Sequence, residues 1–421
     1  MKKYYIVLIL IILFFANVFA DTTYELRGSL REWVKVIVNT PGKVSLIESR
    51  LKLELLSTLS QEIAFKSRVY TVYSPKIYNE IKFNLQEAYI DYYTEIMDIR
   101  IGRQIISWGK ADELNPTDIL NPEDISNIFE EKSIRKIGVF GIKLDLKLFD
   151  SVITGIYIPD IQFHKLPEAH STWDFFSIGL KKMGLITLPS ILYPENSLDN
   201  SEWAIKISKT IENFDFTLSF ADVIDNLFSI KMKIIPPGIP TPDYLYYNRT
   251  QMIAADFAAS LFEFGVWAEV AYFITKDKDG TDPFMKNPYF QYVIGMDYTL
   301  PFDIKINIQY FREDVTCVND DKEKELEKKS FSPTGLSIPV KQVGSLRLGK
   351  NFGEANANSL EIFCIYDIEE KGVMMGPRIL ISPTDAFKVE TGAFVFDGQE
   401  NSIFNMFNLN DEVYVKATYS F

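Results

Sequence analysis

The chain has 421 residues, of which 47% are hydrophobic and 24% charged, and its formal net charge is −13. This acidic balance excludes nucleic-acid binding, which needs a basic surface. After residue 20, no stretch of about 18 or more apolar residues is free of charge, so the sequence predicts no transmembrane helix. Cys317 and Cys364 are the only cysteines, and they show no disulfide framework.

The first 20 residues are typical of a removable export signal. Lys2 and Lys3 precede an apolar run over residues 4–15, and the small residue Ala20 follows. The run is too short to cross a membrane comfortably as a helix. We therefore predict a signal peptide over residues 1–20, cleaved near Ala20, and one mature domain over residues 21–421.

From residue 24 to the C-terminus, runs of alternating apolar and polar residues recur. Ile304 and Ile306 lie on one face of such a run, and Lys305 and Asn307 lie on the other. Each run has about ten residues, the length of a strand that crosses a membrane in a barrel. We predict about 18 strands, with 16 as the alternative count, at 24–38, 44–59, 62–73, 83–93, 95–107, 134–148, 150–158, 201–211, 213–222, 249–260, 262–274, 288–299, 302–312, 341–352, 358–369, 372–381, 385–397 and 411–421.

The links between these strands alternate in length. Even-numbered strands end in tight turns, and aromatic residues such as Phe149, Phe262 and Phe302 crowd that rim, as in a membrane-interface girdle. Most odd-numbered strands end in long polar loops, at 108–133, 159–200, 223–248, 275–287, 313–340 and 398–410. This pattern predicts an all-β fold, a transmembrane antiparallel up-and-down β-barrel with short periplasmic turns and long extracellular loops.

The barrel is expected to close, because an unpaired backbone group in hydrocarbon costs several kcal/mol. The first strand should therefore pair with the last, over Val413–Phe421. That last strand resembles the C-terminal signature of outer-membrane barrels, with aromatic Tyr419 and terminal Phe421. The resemblance implies insertion into outer-membrane lipid by the barrel-assembly machinery, through Tyr419 and Phe421. The alternative is a periplasmic or surface β-solenoid or sandwich, whose strands also alternate.

Residues 100–124 read RIGRQIISWGKADELNPTDILNPED. The elements Gly102-Arg103-Gln104, Trp108-Gly109 and Asn115-Pro116-Thr117-Asp118 resemble those of an uncharacterised group of bacterial outer-membrane barrels, related in architecture to the alginate-export porin. The resemblance implies a porin or exporter and leaves the cargo open. The acidic charge is a poor match to a polyanion, so alginate is not carried over as a substrate.

Arg103 lies on the lipid-facing phase of its strand, where a charge in mid-membrane costs about 2–4 kcal/mol. A bulge at Gly102 would turn Arg103 inward, toward Glu87 or Asp91. The alternative is a position at the outer rim, where the side chain reaches the headgroups. We favour the bulge.

The loop over residues 108–133 is predicted either to fold into the lumen and narrow it or to remain an ordinary external loop. Pro122 suits the first position of a short helix. The carboxylates of this loop could bind Ca²⁺, but their spacing matches no EF-hand loop. We expect neither a metal nor a cofactor and leave a metal in this acidic loop as the alternative. The residues proposed for the constriction are Trp108, Asp112, Glu113, Asn115, Asp118 and Asp124.

Lumen-facing charges predict selectivity. A basic wall on the first three strands would face an acidic wall on strands nine to thirteen, although the charges can equally pair with their own neighbours. The predicted pore-lining residues are Arg50, Lys52, Arg68, Glu87, Asp91, Arg100, Gln104, Asp256, Glu269, Asp297 and Asp303.

No catalytic motif is present, so we expect no enzymatic activity. The sequence favours an outer-membrane porin for passive diffusion of small polar or amphiphilic solutes. One alternative is a transporter of hydrophobic compounds of the fatty-acid type, with an uptake groove formed by residues 186–193 and 234–247. The other is a structural or adhesive surface barrel. Whether the chain forms a homo-oligomer is left open.

Overall fold

Eighteen strands form one antiparallel sheet that closes on itself. A computed structural model describes residues 22–40, 43–76, 80–112, 114–127, 129–168, 171–174, 189–195, 197–235, 239–280, 286–316, 342–400 and 402–421. The barrel strands are β1 (Thr23–Ile37), β2 (Val44–Thr58), β3 (Ile63–Tyr73), β4 (Ile81–Tyr93), β5 (Met97–Gln104), β6 (Val139–Leu148), β7 (Ser151–Ile158), β9 (Glu202–Ile211), β10 (Phe214–Ile224), β13 (Arg249–Leu261), β14 (Phe264–Ile274), β15 (Tyr289–Leu300), β16 (Ile304–Val315), β17 (Gln342–Phe352), β18 (Asn358–Asp367), β19 (Gly372–Ile381), β20 (Phe387–Gly398) and β21 (Glu412–Ser420).

The predicted barrel and its count of 18 strands are confirmed. The barrel has an apolar outside, because successive side chains on a strand point to opposite faces. In β10, Leu218 is 65% exposed, whereas Thr217 and Ser219 on either side of it are 6% and 7% exposed. The apolar phase therefore faces outward, and the polar phase faces the lumen.

Short turns lie at one end of the barrel, called here the turn end. At Phe149 and Asp150 both residues of the turn have positive φ, 48° and 57°, the geometry of tight two-residue hairpins. The rings of Phe149, Phe262 and Phe302 are almost fully exposed at this end. The opposite end, where the longer connections lie, is called the loop end.

A glycine shapes the seam between the first and last strands. The Gly28 N–H donates to the Phe421 carbonyl at 2.8 Å, and the Phe421 N–H donates to the Gly28 carbonyl at 2.9 Å. The ring of Phe421 lies over Gly28, and a Cβ on Gly28 would be 2.2 Å from its Cζ. Any larger residue at position 28 would displace the terminal ring from the seam.

The long connections contain structure that the sequence did not predict. A small sheet is formed by β8 (Ser190–Leu192), β11 (Ser229–Ile235) and β12 (Ile239–Tyr246), with β12 in the centre. The helix predicted to begin at Pro122 is wrong, since Glu123 forms a β-bridge with Lys136 instead. Short helical turns occur later, at Ile125–Asn127 and Lys132–Arg135. Among the described residues, no helix is long and apolar enough to cross a membrane.

The seam provides a test of closure. Gly28→Val should destabilise the folded barrel by about 1–3 kcal/mol, because overpacking forces the ring of Phe421 aside. Gly155→Val is the matched control: Gly155 also faces outward, and a Cβ there meets nothing within 4 Å. The measurement is the midpoint of heat- or denaturant-induced unfolding, read by the electrophoretic shift between folded and unfolded forms. Equal midpoints for the two variants would contradict the role given to Gly28.

Candidate functional site: a segment inside the barrel

Residues 105–137, called here the crossing segment, connect the neighbouring strands β5 and β6 but contact distant parts of the wall. Near its start, the segment bonds to Glu269 of β14. Near its end, Glu130 bonds to Arg31 of β1. Strands β1 and β14 are nearly half the circumference apart. Because Arg31 and Glu269 both lie on the lumen-facing phase, the segment passes through the lumen.

The first anchor is the carboxylate of Glu269, which is buried beneath the segment. Its Oε1 accepts the N–H groups of Lys110 at 2.5 Å and Ala111 at 2.6 Å, and its Oε2 accepts the Thr117 hydroxyl at 3.0 Å. Gly109 has φ +79°, and a Cβ there would lie 2.5 Å from Glu269 Oε1. The Trp108-Gly109 pair of the motif thus marks the point where the backbone turns around the carboxylate.

The second anchor is the carboxylate of Glu130, which is 4% exposed. Arg31 donates to both of its oxygens, at 2.8 and 2.5 Å, and Arg50 Nη1 lies 3.1 Å from Oε2. Glu48 in turn bonds to both arginines, at 2.7 and 3.0 Å. Burial raises the pKa of Glu130, but the charges of Arg31 and Arg50 outweigh it and lower the pKa to about 2. Glu130 is therefore ionised at neutral pH.

Phe129 extends this anchor into a group of rings, called here the aromatic cluster. Its members are Trp33, Trp173, Phe394, Phe396, Phe407 and Tyr414. The ring centroid of Phe129 is 4.2 Å from that of Phe394 in β20 and 4.6 Å from that of Trp173. The ammonium of Lys35 lies 4.9 Å from the Phe129 ring and 4.1 Å from the Trp33 ring. The segment is therefore fixed here by apolar packing and cation–π contacts as well as by charge.

Apolar side chains seat the first half of the segment on the wall. Ile106, Trp108 and Leu120 are buried in one cluster with lumen-facing residues near the loop end. These wall residues are Val139, Ile156, Ile158, Ala204, Ala221, Val223, Met252, Ala254, Ala271, Phe273 and Tyr289. Strict alternation does not predict these residues, although the strand ends Tyr157-Ile158 and Val223-Ile224 carry apolar residues on both phases.

The asparagines of the two Asn-Pro pairs have structural roles. Asn115 donates to the Trp108 carbonyl at 2.8 Å. Asn121 accepts the Ile106 N–H at 2.6 Å and donates to the Ile137 carbonyl at 2.8 Å. These bonds satisfy backbone groups that have no strand partner. The motif therefore encodes the conformation of the segment.

Carboxylates of the segment form ion pairs. Asp118 lies 2.7 Å from Lys136, and Asp124 lies 2.6 Å from Lys165. Asp112 contributes its N–H, which donates to Gln309 on the wall at 3.2 Å. Glu113 lies outside the described residues. Within the part of the chain that the structure describes, no group of three or more metal-binding side chains is present.

Cations of the predicted basic wall are paired locally. Arg68 lies 2.9 Å from Glu54 and 3.1 Å from Glu87, and Arg100 lies 2.7 Å from Asp91. Lys52 also approaches Glu54, at 3.6 Å, and Arg50 belongs to the second anchor. This side of the lumen therefore presents both signs of charge.

The predicted inward turn of Arg103 at a bulge is wrong. Strand β5 keeps its register at Gly102, and the extra residue is Gln86 on the neighbouring β4. Arg103 donates to the Leu85 carbonyl at 2.7 Å and to Gln162 in a long connection at 3.3 Å. Its position matches the alternative, a charge near the outer rim. Gln86, which no sequence pattern marks, donates instead to carbonyls of the crossing segment, including that of Lys136 at 3.1 Å.

Exposure of the lumen-facing residues changes along the barrel. Gln104 is fully buried, and so is Glu412, at the loop end. The side chain of Arg27 is 60% exposed near the turn end, and Asp297 is also exposed. Asp256 is buried and lies between these two ends of the barrel. Asp303 lies in the turn between β15 and β16. Lumen-facing side chains are therefore buried near the loop end and exposed to water near the turn end.

Residues 67–278 match the family described as "Protein of unknown function (DUF1302)", which is just over half of the chain. The chain belongs to this family. No curated protein matches the sequence.

Among solved structures, the chain is similar to OccD3 (OpdP) of Pseudomonas aeruginosa, at 7% identity and a TM-score of 0.52, over 96% of this chain and 92% of that one. OmpT of Vibrio cholerae has 9% identity, a TM-score of 0.42, and coverage of 95% and 99%. OmpF of Salmonella typhi has 10% identity, a TM-score of 0.44, and coverage of 94% and 97%. At 7% identity, the likeness to OccD3 shows the fold alone, that of an outer-membrane porin.

One contact of the crossing segment should depend on pH. Nδ1 of His164 accepts the Glu123 N–H at 2.7 Å, and burial lowers the pKa of His164 from 6.5 to about 4. When the contact breaks and His164 is exposed to water, its imidazole binds a proton more readily than in the buried state. The contact should therefore weaken as pH falls from 6.5 toward about 4. Amide exchange of residues 120–126, corrected for intrinsic rates, should rise over this range.

His164→Asn is the matched control, since the Asn Oδ1 can accept the same N–H but does not titrate. It should abolish the pH dependence and keep the protection seen at neutral pH. An unchanged pH dependence in His164→Asn would show that another group is responsible.

Proposed function

We propose that this protein is an outer-membrane channel for passive diffusion of small polar or amphiphilic solutes, narrowed by residues 108–133. The observation that carries the proposal is the crossing segment, which is anchored to opposite sides of a closed barrel by Glu269 and Glu130. A barrel that served only as a surface scaffold would not need an ordered segment across its lumen. A passage with a fixed narrow part does need one.

The membrane location is supported by the outside of the barrel. Its outward side chains are apolar, and exposed aromatic rings surround the turn end. Such a surface suits hydrocarbon bordered by headgroups. The export signal over residues 1–20, with cleavage near Ala20, would deliver the mature chain to the periplasm. In this proposal the turn end faces the periplasm and the loop end faces outward.

Solute preference follows from the mixed charges of the lumen. Arg100 with Asp91 and Arg68 with Glu87 present both signs within one wall, so neither cations nor anions are strongly excluded. Polar and zwitterionic solutes would exchange water for these pairs on the way through. The pore-lining roles of these four residues are part of the proposal.

The proposed partners are lipid and the assembly machinery. Outer-membrane lipid surrounds the barrel, and the barrel-assembly machinery recognises the last strand through Tyr419 and Phe421. The apolar outer surface is compatible with both a monomer and a homo-oligomer. The architectural relation to the alginate-export porin is a proposal that rests on the motif of residues 100–124.

The hydrophobic-compound transporter remains the alternative to be tested. Within the described residues, the apolar loop pieces contribute to the core of the small sheet, where Ile191 packs with Phe228, Ile230 and Leu245. These contacts use the side chains that a groove for apolar solutes would expose. They do not favour the alternative over the channel.

Conductance in planar bilayers tests the channel. The wild-type protein should conduct, and Glu269→Ala should raise the conductance by about twofold or more, because the first anchor is lost and the narrow part widens. Glu263→Ala, in the exposed turn before β14, is the matched control and should conduct like the wild type.

Silence of both the wild type and Glu269→Ala would contradict the channel and favour a structural barrel. Liposome swelling with sugars, amino acids and fatty acids would then identify the solute class. Uptake of fatty acids alone, with lipid retained in the purified protein, would favour the transporter.

A further inference from the structure

At the second anchor, two residues of the crossing segment occupy a pocket of the barrel wall in the way that a ligand occupies a binding site. Phe129 and Glu130 present an aromatic ring and a carboxylate from consecutive residues of the crossing segment. The ring enters the aromatic cluster, and the carboxylate meets two arginines of the wall. Both groups belong to the segment, whereas their principal partners belong to β1, β2 and β20.

The arginine part is built to receive a carboxylate. Arg31 and Arg50 are cross-strand partners in β1 and β2. Glu48 holds one nitrogen of each guanidinium, so both keep a partner and an orientation when Glu130 leaves. The remaining donors converge on one point, in the paired geometry that guanidinium groups use for carboxylates. With one acid removed, two cations would face a single Glu48, a positive balance that attracts an anion.

The ring part lies beside it. Phe394 of the wall approaches the Phe129 ring at 4.2 Å, and Trp33 stands edge-on to Tyr414 at 6.0 Å. The Lys35 ammonium lies over several rings, 4.1 Å from that of Trp33. Offset and tilted aromatic packing of this kind suits a planar apolar group. A benzene ring fits the chemistry of the space that Phe129 fills.

We propose that Arg31, Arg50 and the aromatic cluster form a binding site for arylalkyl carboxylates, and that Phe129 and Glu130 are its internal occupant. A solute with a benzene ring and a carboxylate would compete with these two residues and release this end of the crossing segment. The inference rests on the proposed function, because release matters only if the segment narrows a channel. The anchor at Glu269 would keep the segment attached at its other end.

Competition with an internal group sets the expected affinities. The tethered Phe129–Glu130 pair has a high effective concentration, so a free solute binds only in the fraction of molecules in which the site is vacated. Weakening the internal occupant should therefore strengthen binding of the solute. An ordinary buried ion pair with no capacity for a ligand would show no such gain.

The probe is 3-phenylpropanoate, titrated into the full mature chain in detergent micelles by calorimetry. Acetate, which lacks the ring, and 3-phenylpropan-1-ol, which lacks the carboxylate, should each bind about tenfold more weakly or worse, since one half of the recognition is missing. Equal binding of all three compounds would overturn the proposed site.

Two variants of the occupant should tighten binding of the probe. Glu130→Gln removes the competing charge, and Phe129→Ala removes the competing ring while leaving the ion pairs in place. Each should raise the affinity by about tenfold or more, because the site is vacated in a larger fraction of molecules. Glu25→Gln, on β1 near the turn end, is the matched control and should bind the probe like the wild type. Weaker or unchanged binding in both occupant variants would overturn the proposal.

Removing the two arginines should weaken binding of the probe. The double variant Arg31→Gln/Arg50→Gln should show at least about a tenfold loss of affinity, since two charge-assisted contacts are absent. Lys388→Gln, an exposed lumen-phase cation near the turn end, is its control. The electrophoretic shift of the folded barrel checks that each variant is assembled.

Conductance separates this inference from the channel itself. The proposal predicts that 3-phenylpropanoate raises wild-type conductance and has no further effect in Glu130→Gln. A conducting wild type that neither binds nor responds to the probe would overturn the inference and leave the channel standing. Binding with the predicted variant pattern but no conductance in any protein would overturn the channel and keep the site.

Discussion

Two carboxylates in the lumen hold the crossing segment across the barrel. Glu269 of the wall bonds to backbone N–H groups of the segment, and Glu130 of the segment bonds to arginines of the opposite wall. In a buried setting such bonds are stronger than those between neutral groups. Loss of one partner of a buried ion pair costs about 3–5 kcal/mol, because a charge remains without compensation. The position of the whole segment therefore depends on these two side chains.

The two halves of the lumen differ because the segment needs a surface on which to pack. Near the loop end, the wall is apolar where Ile106, Trp108 and Leu120 lie against it. Near the turn end, charged side chains such as that of Arg27 contact water. A wall that was polar throughout would leave the apolar side of the segment without partners. The lumen-facing residues therefore change from apolar to polar along the strands because only the loop-end part of the wall packs against the segment.

The barrel could be predicted closely because its strands obey one rule. Alternation of apolar and polar residues identified all 18 strands, and backbone pairing in hydrocarbon required closure between β1 and β21. Prediction failed where the alternation no longer applied. The extra residue Gln86 in β4 and the outward Arg103 depend on contacts with the connections, which no strand period reports. The small sheet of β8, β11 and β12 lies within connections interpreted as loops.

Some residues of the candidate site could be predicted from the sequence, but their contacts with one another could not. The sequence indicated a distinctive loop and marked Glu269 and Arg50 as lumen-facing, but it gave no sign that both belong to anchors of that loop. Glu130 and Phe129 were not singled out, since a single Phe-Glu pair in a polar stretch carries no periodic signal. Their partners come from β1, β2 and β20, far away in sequence. Only the closed barrel brings them together.

The most direct test is the location of the crossing segment in protein reconstituted into lipid vesicles. Ala111 packs against the lumen cluster that contains Val293. With Cys317 and Cys364 replaced by serine, Ala111→Cys and Val293→Cys should be joined by a short bifunctional thiol reagent. The account predicts this cross-link and slow reaction of the Ala111→Cys thiol with a membrane-impermeant maleimide added outside. Absence of the cross-link, together with reaction as fast as that of an exposed loop thiol, would place the segment outside the barrel and contradict the account.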